Sequence, residues 1–164
     1  MAIYFYKENQ AYGCFSNFSP HRVYLQGYSW PTSEHFYQAQ KFVNSDDEAL
    51  VSIIRQASTP TEAAAIGRDP QNHVREDWEQ VKQRVMREAV MDKFQRHRPI
   101  REVLLETGDE RLIEDSPVDY YWGCGAKGDG QNHLGRILMA VRMELRQRSV
   151  PTLSFAASLP LVLD

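Results

Sequence analysis

The segment WPTSEHFYQAQKF, residues 30–42, places a carboxylate, an amide and an amine at helical spacing. Pro31 and the two hydroxyl residues after it predict a helix start, since proline fits a first turn and a hydroxyl can cap free N–H groups. In that helix Glu34, Gln38 and Lys41 lie at i, i+4 and i+7 and share one face. An acid and an amine on one face can do glycosidic or imine chemistry. The alternative is a polar stripe that faces water.

A second segment, DYYWGCGAKGDGQNHLG at residues 119–135, is rich in glycine and leads into a predicted helix. Glycines let backbone N–H groups approach an anion, and a helix start adds a favourable dipole. Gly123, Gly125 and Asn132 are therefore candidates for a phosphate cradle, with a tight turn as the alternative. The pattern differs from a Walker A motif because no GK[ST] follows the glycines.

This second segment, together with FSNF at 15–18 and GRD at 67–69, resembles the YbiA-like family, also called NADAR. The matching stretches are spread over most of the chain, and their order and spacing carry the resemblance. Members of that family cleave N-glycosidic bonds to ribose, either in early riboflavin-pathway intermediates or in ADP-ribosylated guanine. The resemblance implies an α+β fold of the YbiA type and a hydrolase whose co-substrate is water, with no cofactor.

Three residues are predicted to carry the chemistry, and each has alternatives that the sequence leaves open. Lys41 is either a nucleophile that exchanges into a ribose imine or a cation that holds a phosphate or hydroxyl during direct hydrolysis. Glu34 is the candidate acid or base, although an acid also favours a helix start. Asp119 could orient a water or a ribose hydroxyl, or bond nearby backbone N–H groups as turn aspartates often do.

Four further residues are candidates for substrate binding. Trp122, just before the glycine-rich loop, could stack on a heterocycle, an interaction worth ~1–3 kcal/mol. Trp78 could do the same, but it lies on an apolar helical stripe where core packing is the alternative. Asn17, between aromatic residues, could bond a base edge or ribose, and Arg68 is a phosphate ligand on the family match.

The bulk composition narrows the function classes. The chain has 164 residues, a net charge of −3 and 42% hydrophobic residues, so we expect one globular domain without bulk attraction to nucleic acid or an anionic membrane. Two cysteines without CxxC spacing, and no HExxH motif, predict no metal site. The sequence contains no apolar run of ~20 residues and begins without signal-peptide features, so the expected location is cytoplasmic.

Periodicity predicts a mostly α-helical α+β domain at residues 1–150, with a small sheet of short strands. Strands are expected at 3–6 and 112–113, and a hairpin at 22–30. Helices are expected at 34–44, 45–56, 58–66 (stopped by Gly67), 77–94, 99–108 and 134–147. The apolar tail at 151–164 is predicted to be an appendage outside the family-like region.

Three functions remain open at this point. The first is an N-glycosidase acting on a ribosylaminopyrimidinone phosphate of the riboflavin route, with a small-molecule substrate and no membrane partner. The second keeps the chemistry but takes ADP-ribosyl-guanine, and only this reading involves nucleic acid. The third is a non-catalytic module that binds ADP-ribose or a nucleotide. Nothing in the sequence indicates an oligomeric state.

Overall fold

The computed structural model describes residues 1–149, so the predicted tail at 151–164 lies outside the described residues. The described part contains four short strands, one 3-10 helix (Gly13–Phe15) and six α-helices. The strands are β1 (Ala2–Phe5), β2 (Val23–Leu25), β3 (Tyr28–Trp30) and β4 (Arg111–Glu114). The helices are α1 (Ser33–Gln40), α2 (Leu50–Gln56), α3 (Pro60–Arg68), α4 (Trp78–Arg96), α5 (Arg98–Glu106) and α6 (His133–Ser149).

The strands form two separate two-stranded sheets. β1 pairs with β4 in parallel, with Ile3 opposite Leu112, and β2 pairs with β3 antiparallel. Between β2 and β3 the residues Gln26 and Gly27 have φ of 55° and 79°, and two consecutive positive φ values are typical of a tight hairpin turn. The predicted hairpin and the helix-rich α+β class are confirmed.

Helix α1 begins as predicted, and its burial excludes the water-facing alternative. Thr32 caps the helix, because its hydroxyl accepts a hydrogen bond from the backbone N–H of His35 at 3.2 Å. Every residue of α1 is buried, including Glu34 at 4% exposure. The helix ends at Gln40 rather than near residue 44, because the backbone N–H of Phe42 bonds three residues back and Asn44 takes φ of 56°.

Two helix boundaries differ from the prediction for identifiable reasons. α2 begins at Leu50 instead of residue 45, because the carboxylate of Asp47 accepts from the backbone and ring of His73 and does not cap a helix. Gly67 lies inside α3 and does not stop it. A Cβ there would lie 2.1 Å from Oε1 of Gln38, so this glycine lets α3 pack closely on α1.

The long helices α4 and α6 pack against each other and complete one hydrophobic core with α1 and β4. The buried residues of α4 include Val85, Met86, Ala89, Val90 and Phe94. Both helices follow their predicted spans to within two residues. No helix among residues 1–149 has the length and hydropathy needed to cross a bilayer.

Candidate active site

A cavity of about 250 Å³, called the inner cavity below, receives the polar face of α1. Glu34, Gln38 and Lys41 all line it, as their helical spacing predicts. The inner cavity brings together six of the residues predicted from the sequence, which are Asn17, Glu34, Lys41, Arg68, Asp119 and Trp122. Residues far apart in the chain therefore meet around one space large enough for a small ligand.

Glu34 is a buried carboxylate with two polar neighbours. Its Oε1 accepts a hydrogen bond from Nε2 of Gln38 at 2.7 Å and lies 3.9 Å from Nη2 of Arg68. Burial raises the pKa of Glu34, and the Gln38 hydrogen bond and the Arg68 and Lys41 charges oppose that rise. The ion-pair partner in the structure is thus Arg68, whose side chain is itself largely exposed.

Lys41 follows the last residue of α1, where the helix delivers its amine to the inner cavity. Nζ donates a hydrogen bond to the carbonyl oxygen of Gly67 at 3.0 Å, and it lies 5.8 Å from the ring centre of Tyr37. Burial lowers the pKa of Lys41 to about 8, although the negative charge of Glu34 opposes this and Arg68 assists it. A lysine with such a pKa is partly neutral near physiological pH and can act as a nucleophile.

Glu114 is a third cavity acid that the sequence reasoning missed. It is the last residue of β4, and its backbone is held by Asn132 Oδ1 at 3.0 Å and by the N–H of Cys124 at 2.8 Å. Burial raises the pKa of its carboxyl to about 8, and the negative charges of Asp119 and Glu34 add to the rise. The available signal was its position at the carboxyl end of a short apolar strand, which aligns with the end of β1.

Asp119 bonds nearby backbone N–H groups, as one of the sequence alternatives predicts, and its role toward a water or a ribose hydroxyl stays a prediction. Its Oδ1 accepts hydrogen bonds from the backbone N–H groups of Tyr121 and Trp122, at 2.9 and 2.7 Å, so it shapes the turn. The residue also lines the inner cavity, across which its charge raises the pKa of Glu114 and Glu34. Although three acids share this cavity, no group of His, Cys, Asp or Glu within residues 1–149 is arranged to hold a metal ion.

The two tryptophans predicted to stack on substrate lie in different surroundings. Trp122 lines the inner cavity and meets the ring of Tyr37 edge-on, with centroids 5.5 Å apart. Trp78 packs on another side of Tyr37 at 5.1 Å, is 7% exposed and belongs to the hydrophobic core. It does not line the inner cavity, so its ligand contact stays a prediction, and besides its core contacts its ring centre lies 6.0 Å from Nζ of Lys41.

The glycine-rich loop lies beside the cavity and supports it. Gly123 and Gly125 do not line it, and a Cβ at either would lie within 3 Å of Ser116 or of the Tyr120 ring. The side chain of Asn132 donates to the carbonyl of Leu112 at 2.9 Å besides accepting from the end of β4. These contacts anchor the loop to β4, whereas the phosphate-binding role of the three residues stays a prediction.

Asn17 fixes the opposite wall to the start of α1. Its side-chain oxygen accepts from the hydroxyl of Ser33 at 3.0 Å, and its backbone oxygen accepts from the N–H of Glu34 at 3.2 Å. The amide nitrogen lies 3.1 Å from the sulfur of Met86. Asn17 is thus held in place at the cavity edge by contacts on both sides.

A wider space of about 680 Å³, called the outer chamber below, adjoins the inner cavity. The two spaces share Ser16, Phe18, Arg68, Glu114 and Asp119. The rest of the outer chamber is lined by three tyrosines, one cation, one acid and three smaller residues, which are Tyr6, Lys7, Glu8, Thr61, Ser116, Val118, Tyr120 and Tyr121. A ligand can therefore place one small part between Glu34 and Lys41 and a larger part in the outer chamber.

The sequence and the fold both match proteins of one family. A family model described as NADAR domain matches residues 4–146. An N-glycosidase of Nostoc punctiforme is 59% identical over 146 residues, which cover 89% of this chain and 94% of that protein. The N-glycosidase YbiA of Escherichia coli is 45% identical over 143 residues, covering 87% and 88% of the two chains.

The solved NMR structure of E. coli YbiA superposes with a TM-score of 0.82 at 43% identity, covering 90% of this chain and 86% of that one. A riboflavin biosynthesis protein of Vibrio vulnificus is 42% identical over 147 residues, which are 90% of this chain but 39% of that longer protein. With the three acids and the partly buried lysine in place around one cavity, the chain belongs to the NADAR domain family and is, like the relatives it matches over most of their length, an N-glycosidase.

Proposed function

We propose that this N-glycosidase hydrolyses the bond between ribose C1 and the exocyclic amine of a ribosylaminopyrimidinone phosphate from the riboflavin route. The observation that carries the proposal is Lys41, whose buried amine, with a pKa near 8, faces the same cavity as Glu34. The name of the V. vulnificus relative supports the choice of substrate.

The size and lining of the two spaces suit such a molecule. A pentose fits the inner cavity of about 250 Å³, and the heterocycle and the phosphate can extend into the outer chamber. Aromatic side chains there can stack on a heterocycle, and the cations of Arg68 and Lys7 can bind a phosphate. In this arrangement ribose C1 lies near Lys41 and Glu34.

The chemistry starts with opening of the ribose ring, which converts the C1–N single bond into an imine. The neutral amine of Lys41 adds to C1, the exocyclic nitrogen takes up a proton, and the bond from C1 to that nitrogen breaks with its electron pair leaving on the amine. The lysine is then joined to C1 as an imine. Water adds to C1 and releases ribose phosphate and the free lysine, so that one water is consumed for each bond cleaved.

Charge favours this imine route over direct hydrolysis. Direct cleavage develops positive charge at C1. A protonated Lys41 beside C1 would repel that charge, whereas a neutral lysine can add to the carbon. The charge of Arg68 opposes the rise that burial causes in the pKa of Glu34, and an ionised Glu34 stabilises the iminium form.

Borohydride trapping tests the proposal. The protein is incubated with the ribosylaminopyrimidinone phosphate, reduced, and mapped by peptide mass spectrometry. We expect free aminopyrimidinone and a reduced pentose phosphate attached to Lys41, and neither in Lys41→Arg, whose guanidinium forms no imine. The exposed Lys127 provides the matched control variant, Lys127→Arg, which should behave as wild type.

Parallel incubation with an ADP-ribosylated guanine oligonucleotide separates the substrates. Release of ADP-ribose there, with no cleavage of the pyrimidinone, would replace the proposed substrate. Product formation without a trapped adduct, retained in Lys41→Arg, would show direct hydrolysis with Lys41 as a binding cation.

A further inference from the structure

The three acids of the inner cavity differ in how their carboxyl oxygens are satisfied. Glu34 accepts from the Gln38 amide, and Asp119 accepts from two backbone N–H groups. Glu114 has a buried Oε2 with no hydrogen-bond partner among residues 1–149. Since an ionised oxygen without donors is costly to bury, the unpartnered oxygen of Glu114 favours the neutral acid there.

We propose that Glu114 is the catalytic acid that gives its proton to the departing exocyclic nitrogen. The inference rests on the proposed function, because it assumes that ribose C1 lies beside Lys41. The step balances in protons. Glu114 protonates the nitrogen as the C1–N bond breaks, and it regains a proton from the water that later adds to the lysine imine.

The position of Glu114 suits this role. It lines both the inner cavity and the outer chamber, as do Asp119 and Arg68. With the pentose in the inner cavity and the heterocycle in the outer chamber, the bond to be cleaved crosses the boundary between the two. A proton donor on that boundary can reach the nitrogen, whereas Lys41 and Glu34 line the inner cavity alone.

The charges around Glu114 keep its proton in place near neutral pH. Burial and the negative charges of Asp119 and Glu34 raise its pKa to about 8, against the positive charge of Arg68 on α3. The acid is therefore mostly protonated at pH 7 and loses its proton as the pH rises through 8. Lys41, with a pKa also near 8, gains its neutral form over the same range, so activity should be bell-shaped with a maximum near 8.

The dependence of the rate on the leaving group tests the proposal. An acid catalyst matters most when the departing amine is basic and leaves poorly without a proton. The probes are the ribose 5-phosphate N-glycosides of aniline and of 4-nitroaniline. We expect Glu114→Gln to lower kcat on the aniline compound by ~10²–10⁴-fold and on the nitroaniline compound by at least about tenfold less. The falling alkaline limb of the pH profile should vanish.

Controls separate this role from a structural one. Glu102→Gln changes a carboxylate of α5 that pairs with Arg98 outside both spaces, and it should leave both rates unchanged. An equal loss on the two compounds, or no loss, would overturn the role of Glu114. If Glu114→Gln does not fold, Glu114→Asp keeps an acid at this position. It should show the same leaving-group bias with a smaller loss of kcat, and a Glu114→Asp variant without that bias would likewise overturn the role.

These outcomes are distinct from failure of the proposed function. Wild-type protein that cleaves neither the aniline N-glycosides nor the pyrimidinone, and gives no borohydride adduct, would reject the imine mechanism itself. Wild-type turnover with a trapped Lys41, combined with an unbiased Glu114→Gln, would reject only the assignment of the acid.

Discussion

Two regions of this molecule hold a lysine amine by nearly the same hydrogen bond, although Lys41 is partly buried and Lys93 fully buried. At the end of α1, Lys41 donates to the carbonyl of Gly67 at 3.0 Å, and in the last turn of α4, Lys93 donates to the carbonyl of Ser16 at 2.9 Å. Burial lowers the pKa of both amines, to about 8 and about 7. By pKa alone, Lys93 would be the better nucleophile of the two.

The difference lies in what each amine faces. Lys41 lines the inner cavity with Glu34, whereas Lys93 is 1% exposed and lies 5.4 Å from the centre of the Phe94 ring. The loop that Lys93 binds contains Ser16, which lines both the inner cavity and the outer chamber. A lowered pKa therefore marks a reactive lysine only where a substrate can reach the amine. Lys93 instead stabilises the loop of Ser16 that lines the site.

Substituting each of the two lysines in turn should give the largest contrast. We expect Lys41→Arg to lower kcat by roughly 10³-fold or more, because arginine stays protonated and cannot add to C1. Lys93→Met should lower kcat by less than about tenfold, because it touches no reacting atom. Steady-state kinetics on the pyrimidinone substrate checks both, and the opposite order of losses would refute the assignment.

Removing the acid beside Lys41 should sharpen the contrast further. We expect Glu34→Gln to lower kcat by ~10²–10⁴-fold, because the iminium loses its negative neighbour. Since Glu34 raises the pKa of Lys41, the acidic limb of the residual pH–rate profile should move to lower pH. The same profile measured for Asp47→Asn, an acid that bonds His73 away from the site, should keep the wild-type limb.

The packing of α1 on α3 should matter to Lys41 and not to Lys93. In Gly67→Ala the new Cβ would lie 2.1 Å from Oε1 of Gln38. The amide nitrogen of the same Gln38 donates a hydrogen bond to Glu34. We expect the free energy of unfolding to fall by about 1–3 kcal/mol and kcat to fall with it. Chemical denaturation measures the first of these and steady-state kinetics the second.

The pH dependence of the free energy of unfolding should reveal the buried amine of Lys93. Of the four predictions, this one involves the smallest change in activity. Its folded pKa, about 7, is below the ordinary value of 10.5, so between these the unfolded chain binds more protons than the folded one. The free energy of unfolding should therefore rise with pH over this window, by at most ~1.4 kcal/mol per pH unit from this residue. We expect Lys93→Met to flatten the rise in denaturation series from pH 7 to 10, and an unchanged slope would contradict the buried amine.

Much of the local architecture could be predicted because its causes are local. The hydroxyl of Thr32 caps the first turn of the helix that follows it, and Gly27 accepts one of the two positive φ values of the hairpin turn. The errors arose where distant partners intervened. The carboxylate of Asp47 bonds His73 and does not cap a helix. Gly67 allows α1 to pack closely on α3 and does not end a helix.

The sequence by itself determined that an acid and an amine are available to react together, because helical spacing puts Glu34 and Lys41 on one face whatever the helix packs against. Only the tertiary structure decided that this face is buried around a cavity, that Glu114 joins it from β4, and that Trp78 lies in the core. The physical reason is desolvation. Burial moves the pKa of the amine and of the acids toward neutrality, and burial is a property of contacts between segments that lie far apart in the chain.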